Sequence, residues 1–225
     1  MERHFHEKLE DFNKKILEMA AMAEEAIYKA AESLRQQDID MAQSVIDNDC
    51  IIDEFENKIE EMAIGLLALQ QPLASDLRFI TTGMKINSEL ERISDLAVNI
   101  AKCVLFVKDQ PPLKFLIDIP KLFDIARDMV KWAVNAFVYR DEKLAKQVIL
   151  SDADADGLRN RIQEELVNEY MIKDKKSVPR AVSLFLVARH FERICDHATN
   201  IAEDVIYMVG AKMVKHHREK LNNGE

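Results

Sequence analysis

The eleven residues ERISDLAVNIA, Glu91 to Ala101, return as ERICDHATNIA, Glu192 to Ala202, with eight of the eleven positions identical. A chain that writes one long polar and apolar pattern twice is expected to fold as two copies of one unit, and such a repeat constrains the architecture before any single residue does. A second match supports this reading. DIDMAQSVIDNDCIID, from Asp38, aligns with DEKLAKQVILSDADAD, from Asp141, at an offset of 103, and the closing segments align at 101.

Each unit reads as three helices. Phe12, Ile16, Met19, Ala23, Ile27, Ala30 and Leu34 recur at steps of three and four, placing one helix over about 5–35. Asp38 reads as an N-cap, its carboxylate placed to accept from the free amides of the next turn, and a second helix runs to about Leu69. Pro72 suits the first turn of a third helix, where its missing N–H costs nothing, and that helix ends near Val107. KDQPPLKFLIDIP cannot continue it. Beyond the break the plan repeats, with helices over 121–138, from the Asp141 cap to Tyr170, and after DKKSVP to Val209, where Gly210 offers a C-cap. The expected fold is all-α: six helices in two tandem antiparallel three-helix bundles, over 1–108 and 118–213, with a linker at 109–117 and a tail at 214–225.

Composition narrows the function. The net charge of −9 and the lack of a basic stripe argue against a nucleic-acid partner. Cys50, Cys103 and Cys195 are too few and too scattered for a disulfide framework or a zinc ribbon, which fits a reducing cytosol. No run of about 18 apolar residues occurs and no apolar signal core follows the N-terminus, so a membrane is expected to be reached only through partners. Phosphate-cradling glycine loops and G-x-S-x-G elbows are missing. So is the Glu-x-x-His pair of di-iron bundles.

The repeated polar residues need a separate reason. On the third helix of the first unit, Phe79, Ile86, Leu90, Ile93, Ala97 and Ile100 share one arc, the expected buried stripe, while Glu91, Asp95 and Asn99 form another ridge that returns as Glu192, Asp196 and Asn200. Packing alone would not hold that ridge. Carboxylates at i and i+4 repel unless a cation compensates, and the second helix of each unit carries such a pair, Asp49 with Asp53 and Asp152 with Asp156. If these helices are adjacent, four carboxylates and an amide oxygen converge twice, a donor set suited to Mg²⁺, Mn²⁺, Ca²⁺ or iron. Solvated acidic faces are the competing reading. His190 and His197 read as structural histidines, and Cys195, the copy of Ser94, reads as a small packing residue.

At QPLASDLRFITTGMKINSELERISDLAVNIA, LFLVARHFERICDHATNIAEDVIYM and the paired D-x-x-x-D helices, the chain resembles the PhoU family of phosphate-transport regulators over nearly its whole length. That resemblance implies multinuclear metal clusters, iron or zinc by analogy with Mn or Mg as options. Carried over by position, the ligands are Asp49, Asp53, Glu91 and Asp95, then Asp152, Asp156, Glu192 and Asp196, with Asn99 and Asn200 as weaker candidates. It also implies a non-enzymatic, homodimeric adaptor between the phosphate ABC transporter ATPase and a sensor histidine kinase, damping the phosphate-starvation response. Two departures stand out: where the family has ERIGDHA, the first copy has Ser94 and Leu96, and the second has Cys195. A metal-dependent phosphohydrolase, a di-iron-type enzyme and a metal-free scaffold are the alternative functions.

Overall fold

A computed structural model describes residues 2–70, 72–110 and 118–211; most of the expected linker and all of the expected tail lie outside them. All regular structure among the described residues is helical, joined by short turns, with no strand among them. The first unit comprises α1 (Glu2–Gln36), α2 (Ile39–Asp47), α3 (Asp49–Gln70) and α4 (Ala74–Val107). The second comprises α5 (Asp118–Tyr139), α6 (Glu142–Glu165), running on into a π-helical turn (Leu166–Met171), and α7 (Val178–Gly210). Because α2 and α3 form one rod broken at Asn48, each unit is a bundle of three rods.

The rods begin and end for local reasons. Asp38 accepts from the Met41 amide at 2.9 Å, and Asp141 accepts from Lys143 and Leu144 at 2.9 and 3.1 Å, so both expected caps form. The residue before each cap, Gln37 or Arg140, turns the chain through the left-handed region, with φ of 54° and 52°. In both corners the cap amide reaches back to close the preceding helix, Asp38 to the Ser33 carbonyl and Asp141 to that of Ala136. A side chain in that region costs free energy that glycine avoids. Gln37→Gly should therefore raise stability by about 0.5–1 kcal/mol in urea unfolding. Arg140→Gly should gain less, because the Arg140 guanidinium sits 5.3 Å from the Phe79 ring centre and that contact would be lost.

Beyond shifts of a few residues at other helix ends, three boundaries differ from those expected for local reasons. The second rod is interrupted because Asn48 adopts φ −84°, ψ −6° and caps α2, so that α3 starts afresh at Asp49. Pro72 lies outside α4, since Leu73 is still extended at φ −102°, ψ 146°. At the end of α7, Gly210 is still helical and Ala211 takes the left-handed cap at φ 51°.

α4 and α7 form the central antiparallel pair, and the contacts between them run in opposite directions along the chain. Arg78 donates to the Met208 carbonyl, Lys85 pairs with Asp204 at 2.8 Å, Glu89 meets His197 and Asn200, and Arg180 donates to the Gln110 carbonyl at 2.6 Å. α1 and α3 cover α4, while α5 and α6 cover α7. The expected stripe on α4 is buried throughout, as are the six residues of α1 from Phe12 to Ala30 at their helical spacing. One continuous apolar core runs through both units. Across the units, Phe79 of α4 stacks on Phe137 of α5 with centroids 5.0 Å apart and meets Phe12 of α1 edge-on.

Candidate functional site

The packing of α3 on α4 and of α6 on α7 is what brings the repeated ridges together. In the first unit the break at Asn48 places Asp49 in the opening turn of α3, where free amides favour a carboxylate. Asp53 follows one turn later and Glu56 on the next, while α4 presents Glu91 and Asp95. The Asn87 side chain donates to the Glu56 carbonyl at 2.9 Å, tying the two helices at this level.

Burial and the mutual repulsion of these carboxylates raise their affinity for protons. Glu91 is pushed up to about 7, by burial first and then by Asp95, Glu56 and Asp53, with Arg92 opposing. Asp49 is raised by burial and by Asp53 and Asp95, and Glu56 by burial, Glu60 and Asp53.

The second unit brings together Asp152, which is 5% exposed, with Asp156, Glu192 and Asp196. Its electrostatics differ. Arg159 enters between the two helices and reaches both Asp156 and Glu192 at 3.2 Å. Glu192 is still raised, by burial and then Asp196, but Arg159 and Arg189 pull it back. Cys195 is buried beside this set and its thiol is pushed well above its ordinary value, by burial first and then by the four carboxylates, as befits an unreactive packing residue.

So each group of four expected ligands faces its partners across a helix pair. No three of the His, Cys, Asp and Glu side chains among the described residues are drawn into a closed ligand shell. Asn99 is half-buried, and the Asn200 amide donates to Glu89 at 3.2 Å across the α4–α7 seam. His197 lies in the same seam, 8% exposed, with Nδ1 2.6 Å from the other donor's target, Glu89 Oε2. It is a structural histidine, and the pair holds Glu89 below its ordinary range against the opposing effect of burial. Reading the ridges alone misses Glu56, Arg159 and Glu89. Glu56 and Arg159 are nevertheless visible as opposite charges at the 103-residue offset.

The Glu91 shift has a consequence for stability. A carboxyl whose folded value lies near 7 and whose unfolded value is about 4.5 binds more protons when folded throughout that window, so its contribution is complete below 4.5 and lost as pH rises through 7. Metal-free protein, treated with chelator, should therefore melt a few degrees higher at pH 5.5 than at pH 7.5 by this group alone, given about 2–4 °C per kcal/mol for a chain of this size. Glu91→Gln should flatten that part of the profile; an unchanged slope would mean that Glu91 titrates as an ordinary surface carboxylate.

Comparison with known proteins matches the same two units. The PhoU domain family matches residues 16–104 and 119–205. The chain is 41% identical over 213 residues to the phosphate-specific transport system accessory protein PhoU homolog of Aquifex aeolicus, covering 95% of this chain and 96% of that protein. It is 37% identical over 211 residues to the homolog of Clostridium acetobutylicum, covering 93% and 96%. The crystal structure of PhoU from Pseudomonas aeruginosa superposes with a TM-score of 0.88 at 33% identity, covering 92% of this chain and all of that one. That of the phosphate transport system regulatory protein PhoU from Streptococcus pneumoniae gives 0.87 at 26% identity, covering 93% and 99%. These relatives are named as accessory and regulatory proteins, not as enzymes. Both tandem units and the full-length likeness lead to one conclusion: the chain belongs to the PhoU family.

Proposed function

We propose that the chain is a metal-binding accessory protein of phosphate transport, which damps the phosphate-starvation response by linking a phosphate ABC transporter ATPase to a sensor histidine kinase. The observation that carries this reading is the full-length match to phosphate-specific transport system accessory proteins, through both units rather than one. An adaptor needs rigid surfaces, and a bundle with one continuous core supplies them. Among the described residues no helix is long and apolar enough to cross a membrane. On this reading the chain meets the transporter through protein partners on the cytoplasmic side, as a homodimer.

The metal part of this reading rests on donor chemistry. Both sets offer carboxylate oxygens, which suit iron, zinc, Mn²⁺ or Mg²⁺. Their mutual repulsion is what a bound cation would relieve, and closing a shell would require side-chain rotation, with Asp53 and Asp95 exposed and free of core packing. Asp49, Asp53, Glu91 and Asp95 would hold the first ion group and Asp152, Asp156, Glu192 and Asp196 the second. Loading would release a proton from Glu91 near neutral pH.

Co-purification of tagged protein with the transporter's ATPase subunit and with the kinase tests the adaptor role. Retention of both, with elution from gel filtration at the mass of a dimer, is the expected result. Retention of neither by folded protein, with and without added metal, would remove it.

A further inference from the structure

The two carboxylate sets are read as equal by their repeated letters, and the structure makes them unequal. At the offset of 103 that aligns Asp49 with Asp152 and Asp53 with Asp156, Glu56 aligns with Arg159; at 101, Ser88 aligns with Arg189. The first set thus gains a fifth carboxylate, with Ser88 hydrogen-bonded to Glu56. In the second, the Arg159 side chain is 25% exposed and lies 3.2 Å from Asp156 and from Glu192, itself 17% exposed. Its other end donates to the Asn160 side chain at 2.9 Å, and Nε is buried without a partner. An exposed arginine pairing for convenience would keep that nitrogen in water, so the guanidinium has been drawn between the helices by the charge there.

We propose that Arg159 is a tethered counter-ion for the second carboxylate set, so that the first set takes a divalent cation from solution and the second binds one only by displacing Arg159. This rests on the metal reading above and goes beyond it by ranking the two sites. The ranking follows from Coulomb's law. A cation entering the second set must break both Arg159 ion pairs and push a tethered positive charge aside, whereas at the first set Glu56 adds attraction. Arg189 acts in the same direction on Glu192. In the first set, Lys102 acts on Asp49 and Arg92 on Glu91, but no arginine stands at the position of Arg159.

The test is a Mn²⁺ titration of full-length protein by calorimetry. Each set is read alone by using Asp53→Asn/Asp95→Asn to silence the first and Asp156→Asn/Asp196→Asn to silence the second. The first set should bind about tenfold or more tightly than the second. Arg159→Glu should close most of that gap, Arg159→Gln should close part of it, and Glu56→Arg should weaken the first set by about tenfold. A second readout needs no bound metal. In chelator, Arg159→Glu should melt lower than the parent and Glu56→Arg higher, because one adds and the other removes charge repulsion. Equal affinities in the parent, or a second set indifferent to Arg159→Glu, would overturn the ranking while leaving metal binding intact. No Mn²⁺ uptake by the parent or by folded Arg159→Glu would overturn both.

Discussion

Phe137→Ala should lower stability by about 3–5 kcal/mol and the melting temperature by roughly 6–20 °C. Phe137 is fully buried, and its ring lies nearly parallel to that of Phe79, with an interplanar angle of 9°. Phe79 also meets Phe12, which sits over Gly83 so closely that a Cβ there would lie 2.5 Å from the Phe12 ring. The three rings therefore join α1, α4 and α5 across the two units, with Phe79 in the middle, and removing the Phe137 ring opens a cavity against Phe79 that closely packed backbones cannot close. Tyr139, two residues on and 75% exposed, provides the control: its alanine variant should stay within about 0.5 kcal/mol. Urea unfolding followed by circular dichroism measures both. A Phe137→Ala cost near that of Tyr139→Ala would mean that the units do not share their core.

The paired substitution Asp53→Asn/Asp95→Asn should abolish metal retention by the first set, weakening it by at least about a hundredfold, since even partners outside a ligand shell cost 10–100-fold. Both side chains are exposed and belong to no packed layer, so the fold should survive. Removing two negative charges beside Asp49, Glu56 and Glu91 should also make the metal-free protein melt higher. That opposed pair of effects, lost metal with gained stability, separates a ligand role from a packing role. Elemental analysis after gel filtration and a melt in chelator measure the two sides. Full metal retention by the variant would place the ions elsewhere.

Much of the fold was legible because its determinants are local. Ile16, Met19 and Ala23 declare a helix face by spacing alone, and Asp38 and Asp141 declare their caps by position. The break at Asn48 was not legible: neither Pro nor Gly marks it, and Ser44 and Ile46 carbonyls satisfy the cap amide within an otherwise unbroken apolar pattern. Nor was the end of α7, where a left-handed alanine follows a helical glycine against the usual preference.

The candidate site divides in the same way. The four repeated carboxylates of each set were visible as periodic ridges, since i and i+4 neighbours share a helix face. Arg159 is not legible in the pattern of one helix because its meaning depends on two at once: it is i+3 from Asp156 on α6 but neutralises Glu192 on α7. The Glu89–His197 contact depends on how the two units dock, which periodicity within a helix does not encode.

The most direct measurement is the output of a phosphate-starvation reporter in the source organism, grown in ample phosphate with the chromosomal copy of this chain deleted. The proposed role predicts that the reporter switches on in the deletion and that the intact chain, supplied in trans, turns it off again. A reporter that stays silent in the deletion, with phosphate uptake unchanged, would contradict a role in damping the response.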